Sequence, residues 1–216
     1  MTTRPEGYIP AAGHDWLLPL YDPLWRFVLR EDRMRRDIVL HAAVPPRARV
    51  LDVGCGTGTQ ALWVSRAHPD ALVVGLDGDA RVLEIAKRKA ARAGLEIAFD
   101  EGLATALPYP SARFDRVISS LVFHHLPLGD KRSALDEIHR VLAPGGSFVL
   151  VDFGAPVHWL ERAFARLLSR GGHAAANLEG RLPALLREAG FARVEELGQR
   201  SLGFGRIWTW RATKAA

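Results

Sequence analysis

Apolar residues fall along this chain in two alternating patterns. Short runs (Val50, Leu51 and Val53; Leu72 to Leu76; Phe114 to Ser120; Ser147 to Asp152) are rich in β-branched residues and predict strands covered on both faces. Leu95 to Phe99 alternates and predicts a strand between the second and third of these. Between strands the apolar spacing changes to three and four residues. Val82, Leu83, Ile85, Ala86 and Ala90 predict a helix from Ala80 to Ala93 with one face on a sheet, Asp79 as its N-cap and Gly94 as its C-cap.

Further on, Leu128 to Arg132 reads as a loop and Ser133 to Leu142 as a helix, and Pro144, Gly145 and Gly146 turn into the fifth strand. Two helices are expected before Gly190, Val157 to Ser169 and Asn177 to Ala189. The first is an extra element placed to wall a substrate pocket, or ordinary core. Phe191 to Leu197 and Gly205 to Ala212 predict two last strands, whose short connection requires an antiparallel hairpin.

Ahead of the first strand, residues 1–13 form an arm broken by Pro5, Gly7 and Pro10. Asp15 to Arg30 is a short aromatic helix pair broken at Pro19 and Pro23, and Glu31 to His41 is a charged helix. The expected organisation is an arm and helical cap over 1–44 and one structural unit over 45–216. Trp16, Leu20, Trp25 and Leu29 serve either as packing or as a water-excluding lid.

Chemistry concentrates where the first strand ends. Gly54, Gly56 and Gly58 let the backbone turn and approach a ligand closely before the next helix. No lysine follows the last glycine, as a phosphate cradle would need, and the spacing is not the G-x-G-x-x-G of a dinucleotide loop. Asp52, just before the loop, would repel a pyrophosphate and attract a cation. S-adenosylmethionine (SAM), with an ammonium and a sulfonium on an adenosine frame, suits such a site. Asp77, at the end of the second strand, stands where ribose hydroxyls are accepted.

Five blocks then resemble a known family: Val50-Leu-Asp-Val-Gly-Cys-Gly-Thr-Gly58, Val74-Gly-Leu-Asp77, Leu107-Pro-Tyr-Pro110 with Phe114-Asp115, His124-His-Leu126, and Arg140-Val-Leu-Ala-Pro-Gly-Gly146. Together they resemble the class I SAM-dependent methyltransferases, nearest to the group that includes the ubiquinone and menaquinone C-methyltransferases. The resemblance implies a Rossmann-like α/β fold: a seven-stranded, mostly parallel sheet with a reversed last strand, helices on both faces and an N-terminal helical cap. It implies S-adenosyl-L-methionine as cofactor, held by Asp52, Gly54, Gly56, Thr57, Asp77 and Gly78, with Leu103, Ala104 and Ser119 nearby. Many relatives carry an acid for the adenine amino group where this chain has Leu103, so an apolar wall and backbone groups are expected to hold the adenine. His125 and Tyr21 are the residues the resemblance places against the acceptor. His125 is either a general base or a structural histidine. Neighbours in an extended segment point to opposite sides, so His124 and His125 are not expected to share a metal, and no metal is expected.

Composition narrows the rest. A chain of 216 residues, 48% hydrophobic, suits one α/β unit with a full core. Cys55 is the single cysteine, so no internal disulfide forms. The net charge of +5 comes mainly from arginine and is read as solvated surface, with no nucleic acid expected and at most peripheral membrane contact. No run approaches the roughly 18 apolar residues of a membrane span, and a cytoplasmic protein is expected. The acceptor is expected to be small, apolar, aromatic or lipid-like. A membrane-surface phospholipid N-methyltransferase and a non-catalytic SAM-binding protein are the alternatives.

Overall fold

The computed structural model describes residues 31–159, 161–162, 173–202 and 205–216. Tyr21, the aromatic cap and most of the predicted helix from Val157 lie outside the described residues. In chain order the elements are α1 (Glu31–Ala42), β1 (Arg49–Val53), α2 (Thr59–Ala67), β2 (Leu72–Asp77), α3 (Ala80–Ala93), β3 (Ala98–Glu101), β4 (Phe114–Ser120), a 3₁₀ turn (Phe123–His125), α4 (Leu128–Val141), β5 (Leu142–Phe153), α5 (Ala175–Leu178), α6 (Leu182–Glu188), β6 (Arg193–Ser201) and β7 (Arg206–Thr213).

The strands form one seven-stranded sheet in the order β3-β2-β1-β4-β5-β7-β6. β1 to β5 pair in parallel, and β7 runs antiparallel to both neighbours. The order reverses between β1 and β4, so a crevice opens at the carboxyl ends of those central strands.

Alternation along each strand sorts the apolar side chains into two cores. Val50, Ile118, Val149 and Val151 pack with Ile38 of α1, Ala61 and Val64 of α2 and Leu83 and Ala86 of α3. Leu51, Val53, Val117, Phe148 and Leu150 pack on the other face with Leu135 and Ile138 of α4 and Leu182 and Leu185 of α6. Each strand is therefore apolar at consecutive positions, which is why the sequence runs are unbroken.

Part of the arginine excess is structural rather than solvated. Arg116 of β4 donates to Ala42 O at 2.9 Å, and Arg211 of β7 donates to His41 O at 2.7 Å. Two cations from the sheet thereby satisfy the last carbonyls of α1, which the helix cannot bond itself. Arg49 bonds the Asp115 carboxylate, and Arg140 bonds Glu137 and the carbonyls of Leu107 and Tyr109.

Several boundaries differ from the sequence reading; β6, for one, runs to Ser201 and takes in residues expected to join the last two strands. α4 starts at Leu128 and takes in the expected loop, because Pro127 stands before its first turn and Asp130 lies within it, where its charge suits the helix dipole. β3 starts at Ala98, since Leu95 N donates to Ala90 O and keeps Leu95 in the C-terminal turn of α3. The helix expected from Asn177 to Ala189 is two helices, broken where Gly180 adopts φ +73° and restarting with Pro183 in its first turn. Pro144, Gly145 and Gly146 bulge out within β5, between the pairs Phe114–Leu142 and Arg116–Ser147. Among the described residues no helix is long and apolar enough to cross a membrane.

Candidate active site

β1 delivers Asp52 and the glycine loop to the carboxyl edge. Gly54 N and Cys55 N both donate to Leu76 O, at 2.8 and 3.0 Å, which ties the loop to β2. Gly56 N donates to Asp77 Oδ2 at 2.9 Å, and Asp79 N donates to Asp77 Oδ1 at 3.0 Å. The acid at the end of β2 therefore holds the loop in shape. Burial raises its carboxyl, while the N–H donors of Asp79 and Gly56 draw it back down.

The glycines are needed for different reasons. A Cβ on Gly54 would come within 2.4 Å of Val122 Cγ2, and one on Gly58, at φ +76°, would meet Ala86 Cβ at 2.8 Å and Phe99 at 2.9 Å. A Cβ on Gly56, at φ +53°, would meet nothing within 4 Å. Open space above a backbone braced from below is a cradle for a ligand.

Asp52 is 2% exposed, and its Oδ2 has no hydrogen-bond partner among the described residues. The Ala61 N–H bonds the carboxyl, but burial dominates and pushes it up to about 7; Arg35 of α1 pulls the other way and Asp77 adds to the rise. Gln60, on the first turn of α2, is also buried, and neither of its amide atoms is paired among the described residues. Unpaired buried polar atoms of both characters beside a glycine cradle fit a ligand that carries an ammonium and a carboxylate. The methionine end of SAM carries both, so the residues fit the expected cofactor.

The remaining expected contacts are placed unequally. Thr57 Oγ1 accepts from Lys89 Nζ at 3.0 Å, and Gly78 lies between Asp77 and Asp79. Leu103 is exposed and bridges Ala106, with Ala104 packed inward beside it, just past the Gly102 N–H that donates to Asp77 O. Ser119 is fully buried and donates to Val53 O at 2.9 Å, so its hydroxyl ties β4 to β1 beneath the site. Cys55 is buried, and its Sγ would lie 2.9 Å from a Cβ on Gly75; burial, then Asp52 and Asp77, push the thiol up, so it serves as packing.

After β4 the chain turns sharply. Leu121 adopts φ +60°, a left-handed conformation that costs a bulky residue about 1–2 kcal/mol, and Leu121 N donates to Val151 O at 2.8 Å. The turn lays Val122 over Gly54 and starts the 3₁₀ turn. His124 and His125 are thus not in an extended segment, and the expectation that they diverge is corrected: their ring centroids lie 3.9 Å apart at 40°. His124 Nδ1 lies 2.8 Å from Asp152 Oδ1, and Asp152 is fully buried at the end of β5. Burial, and next the neighbouring His124, lower His125 to about 4, so its imidazole is neutral at neutral pH. Lys131 of α4, also fully buried and lowered to about 8 chiefly by burial, donates to Leu126 O and to His173 O, and so ties this turn to the segment before α5.

Sequence reasoning missed Asp152, Lys131, Gln60 and Arg35. Asp152 carried one signal, an acid closing an otherwise apolar strand.

The sheet order and the loop braced by an acid at its carboxyl edge define a Rossmann-like α/β protein with a nucleoside-type site. A family described as "Methyltransferase domain" matches residues 50–146. The demethylmenaquinone methyltransferase of Thermus thermophilus is 41% identical over 145 residues, 65% of this chain and 64% of that protein. That of Geobacillus kaustophilus is 30% identical over 189 residues, 77% of this chain and 80% of the relative. The chain belongs to the class I SAM-dependent methyltransferase family, whose methyl donor is S-adenosylmethionine. It spans just under two thirds of the length of the Thermus relative. The solved YcgJ protein from Bacillus subtilis shares the fold, with a TM-score of 0.69 at 20% identity over 86% of this chain and 99% of that one.

Proposed function

We propose that this protein transfers a methyl group from SAM to a small aromatic, lipid-like acceptor of quinol type. The observation that carries the reading is the cradle over Gly56, braced by Asp77 and preceded on β1 by Asp52, whose buried Oδ2 has no partner among the described residues. When bound, SAM supplies an electrophilic methyl group on a sulfonium.

In this reading Asp52 and Gln60 hold the methionine end, Asp77 accepts the ribose hydroxyls, and Leu103 with Ala104 walls the adenine. The chain's task is then positioning: an in-line displacement needs the acceptor atom held near 3 Å from the methyl carbon and aligned with the breaking bond. His125, neutral and half-buried at the end of the 3₁₀ turn, and Tyr21 orient the acceptor. The names of the Thermus and Geobacillus relatives favour a naphthoquinol, and exposed Val157 and Trp159 favour a lipid-side acceptor.

Incubation with SAM and dithionite-reduced demethylmenaquinone, read by release of S-adenosylhomocysteine and by mass spectrometry of the quinone, tests the reading. A gain of one methyl on the quinone is the expected result. SAM binding with no transfer to any hydroxylated aromatic would leave a SAM-binding protein instead, and methylation of phosphatidylethanolamine vesicles would move the acceptor to the lipid headgroup.

A further inference from the structure

Two histidines stand at the carboxyl edge, and the structure distinguishes them. Among the described residues, His124 is the one of the two with a carboxylate on its ring: its Nδ1 lies 2.8 Å from Asp152 Oδ1, while its backbone N–H reaches Oδ2 at 3.3 Å. Asp152 is fully buried and also accepts the Phe153 N–H at 2.7 Å, so its orientation is fixed by backbone on both sides. The ring is clamped between His125 at 3.9 Å and the edge of Phe153 at 5.0 Å, yet the side chain keeps 17% of its surface exposed. An acceptor oxygen on Nδ1 places the ring proton there and leaves the Nε2 lone pair free. The 3₁₀ turn that carries this ring begins beside Val122, which covers Gly54 of the cofactor loop.

We propose that His124, positioned by Asp152, is the proton acceptor of the transfer, and that the methyl acceptor is accordingly a molecule that brings a hydroxyl proton to lose. The inference rests on the methyl-transfer reading above. As the acceptor O–H bond breaks, the proton passes to His124 Nε2. The oxygen electron pair, directly or through a conjugated ring, forms the new bond to the methyl carbon, and the pair of the broken C–S bond stays on sulfur. Where a ring carbon is methylated, that carbon loses its own proton as the oxygen regains one, so the balance is one proton released per methyl. Asp152 stabilises the imidazolium that forms. Among the described residues, His125, Lys131, Asp130 and His173 are further titratable groups around this turn, and Asp152 supplies the carboxylate oxygens that His124 meets. Neutral His125 adds no competing charge.

Two readouts test this. Nitrogen-15 correlation spectra of the full chain at pH 8, assigned with His124→Gln, read the His124 tautomer without cofactor or acceptor. The expected form carries its proton on Nδ1 and shifts toward Nε2 in Asp152→Asn; an Nε2-protonated ring in the wild type would overturn the assignment. Turnover is then followed with labelled SAM and reduced demethylmenaquinone beside a panel of phenols, thiols and amines. His124→Gln should lower kcat by about 100-fold or more, the usual worth of a positioned base, with SAM affinity by calorimetry within threefold of wild type. Added imidazole should restore part of the activity of His124→Gly, a rescue that a packing role would not give. Unchanged kcat in His124→Gln, or methylation confined to thiols or amines, would overturn the inference. A wild-type protein that binds no SAM would mark failure of the underlying reading, and the tautomer, read without cofactor, keeps the two failures distinct.

Discussion

The backbone N–H of Gly56 donates to Asp77 Oδ2 at 2.9 Å, so the cofactor loop and the acid expected to bind the ribose are one hydrogen-bonded unit. Asp77→Ala removes both a contact to the ligand and the brace of the loop. SAM affinity should fall by about tenfold or more, the worth of a charge-assisted contact, and calorimetry reads it directly. Unchanged affinity would leave Asp77 as a structural acid.

Gly56 and Gly58 separate binding from folding. Gly58→Ala forces a left-handed alanine against Ala86 and Phe99, at a cost of about 2–4 kcal/mol, and thermal unfolding should move down by roughly 2–4 °C per kcal/mol. Gly56→Ala meets no atom, so its melting temperature should fall less. Its Cβ enters the cradle, however, and SAM binding measured by calorimetry should drop sharply. Equal melting temperatures with equal SAM affinities would refute the division of roles.

Asp52 gives SAM binding a pH dependence. Its folded carboxyl sits at about 7 rather than the ordinary 3.8, chiefly through burial, so near pH 6 it holds a proton that an ammonium beside it would expel. Affinity should rise with pH up to about 7, and calorimetry at pH 6 in buffers of different ionisation heat should show proton release. Asp52→Asn should abolish that release and bind more weakly.

Glu161 gives stability a dependence at lower pH. Burial acts to raise its carboxyl, but Arg206, Ser201 and the Val157 and His158 N–H groups outweigh it and hold the carboxyl at about 2, against an ordinary 4.5. A group titrating lower when folded contributes stability that is full above 4.5 and is lost as the pH falls through about 2. Urea unfolding between pH 5 and pH 2 should therefore show a slope that Glu161→Gln flattens. An identical slope in both proteins would remove Glu161 from the acid response.

Much of this protein was legible along the chain because the relevant forces are local. Unbroken apolar runs marked the strands, Asp79 and Gly94 marked the ends of α3, and the alternate glycines after Val53 could only be a close-approach loop. The positive φ at Gly54, Gly56 and Gly58 is what that spacing demands. Boundaries that failed did so where two local signals compete, as at Pro127 and Asp130 against Gly129, or at Gly180 within an apolar helix pattern.

What only the tertiary structure decided depends on residues far apart in the chain. The sequence placed His125 at the acceptor and left Asp152 unremarked; the parallel pairing of β4 with β5 and the left-handed turn at Leu121 set His124 on that buried carboxylate instead. Likewise nothing local says that Gly54 must lack a side chain because Val122 lies over it, or that Arg116 and Arg211 close the end of α1. Periodicity and turn chemistry act over a few residues and fix the elements. The partners of a buried charge are chosen by the order in which the strands assemble.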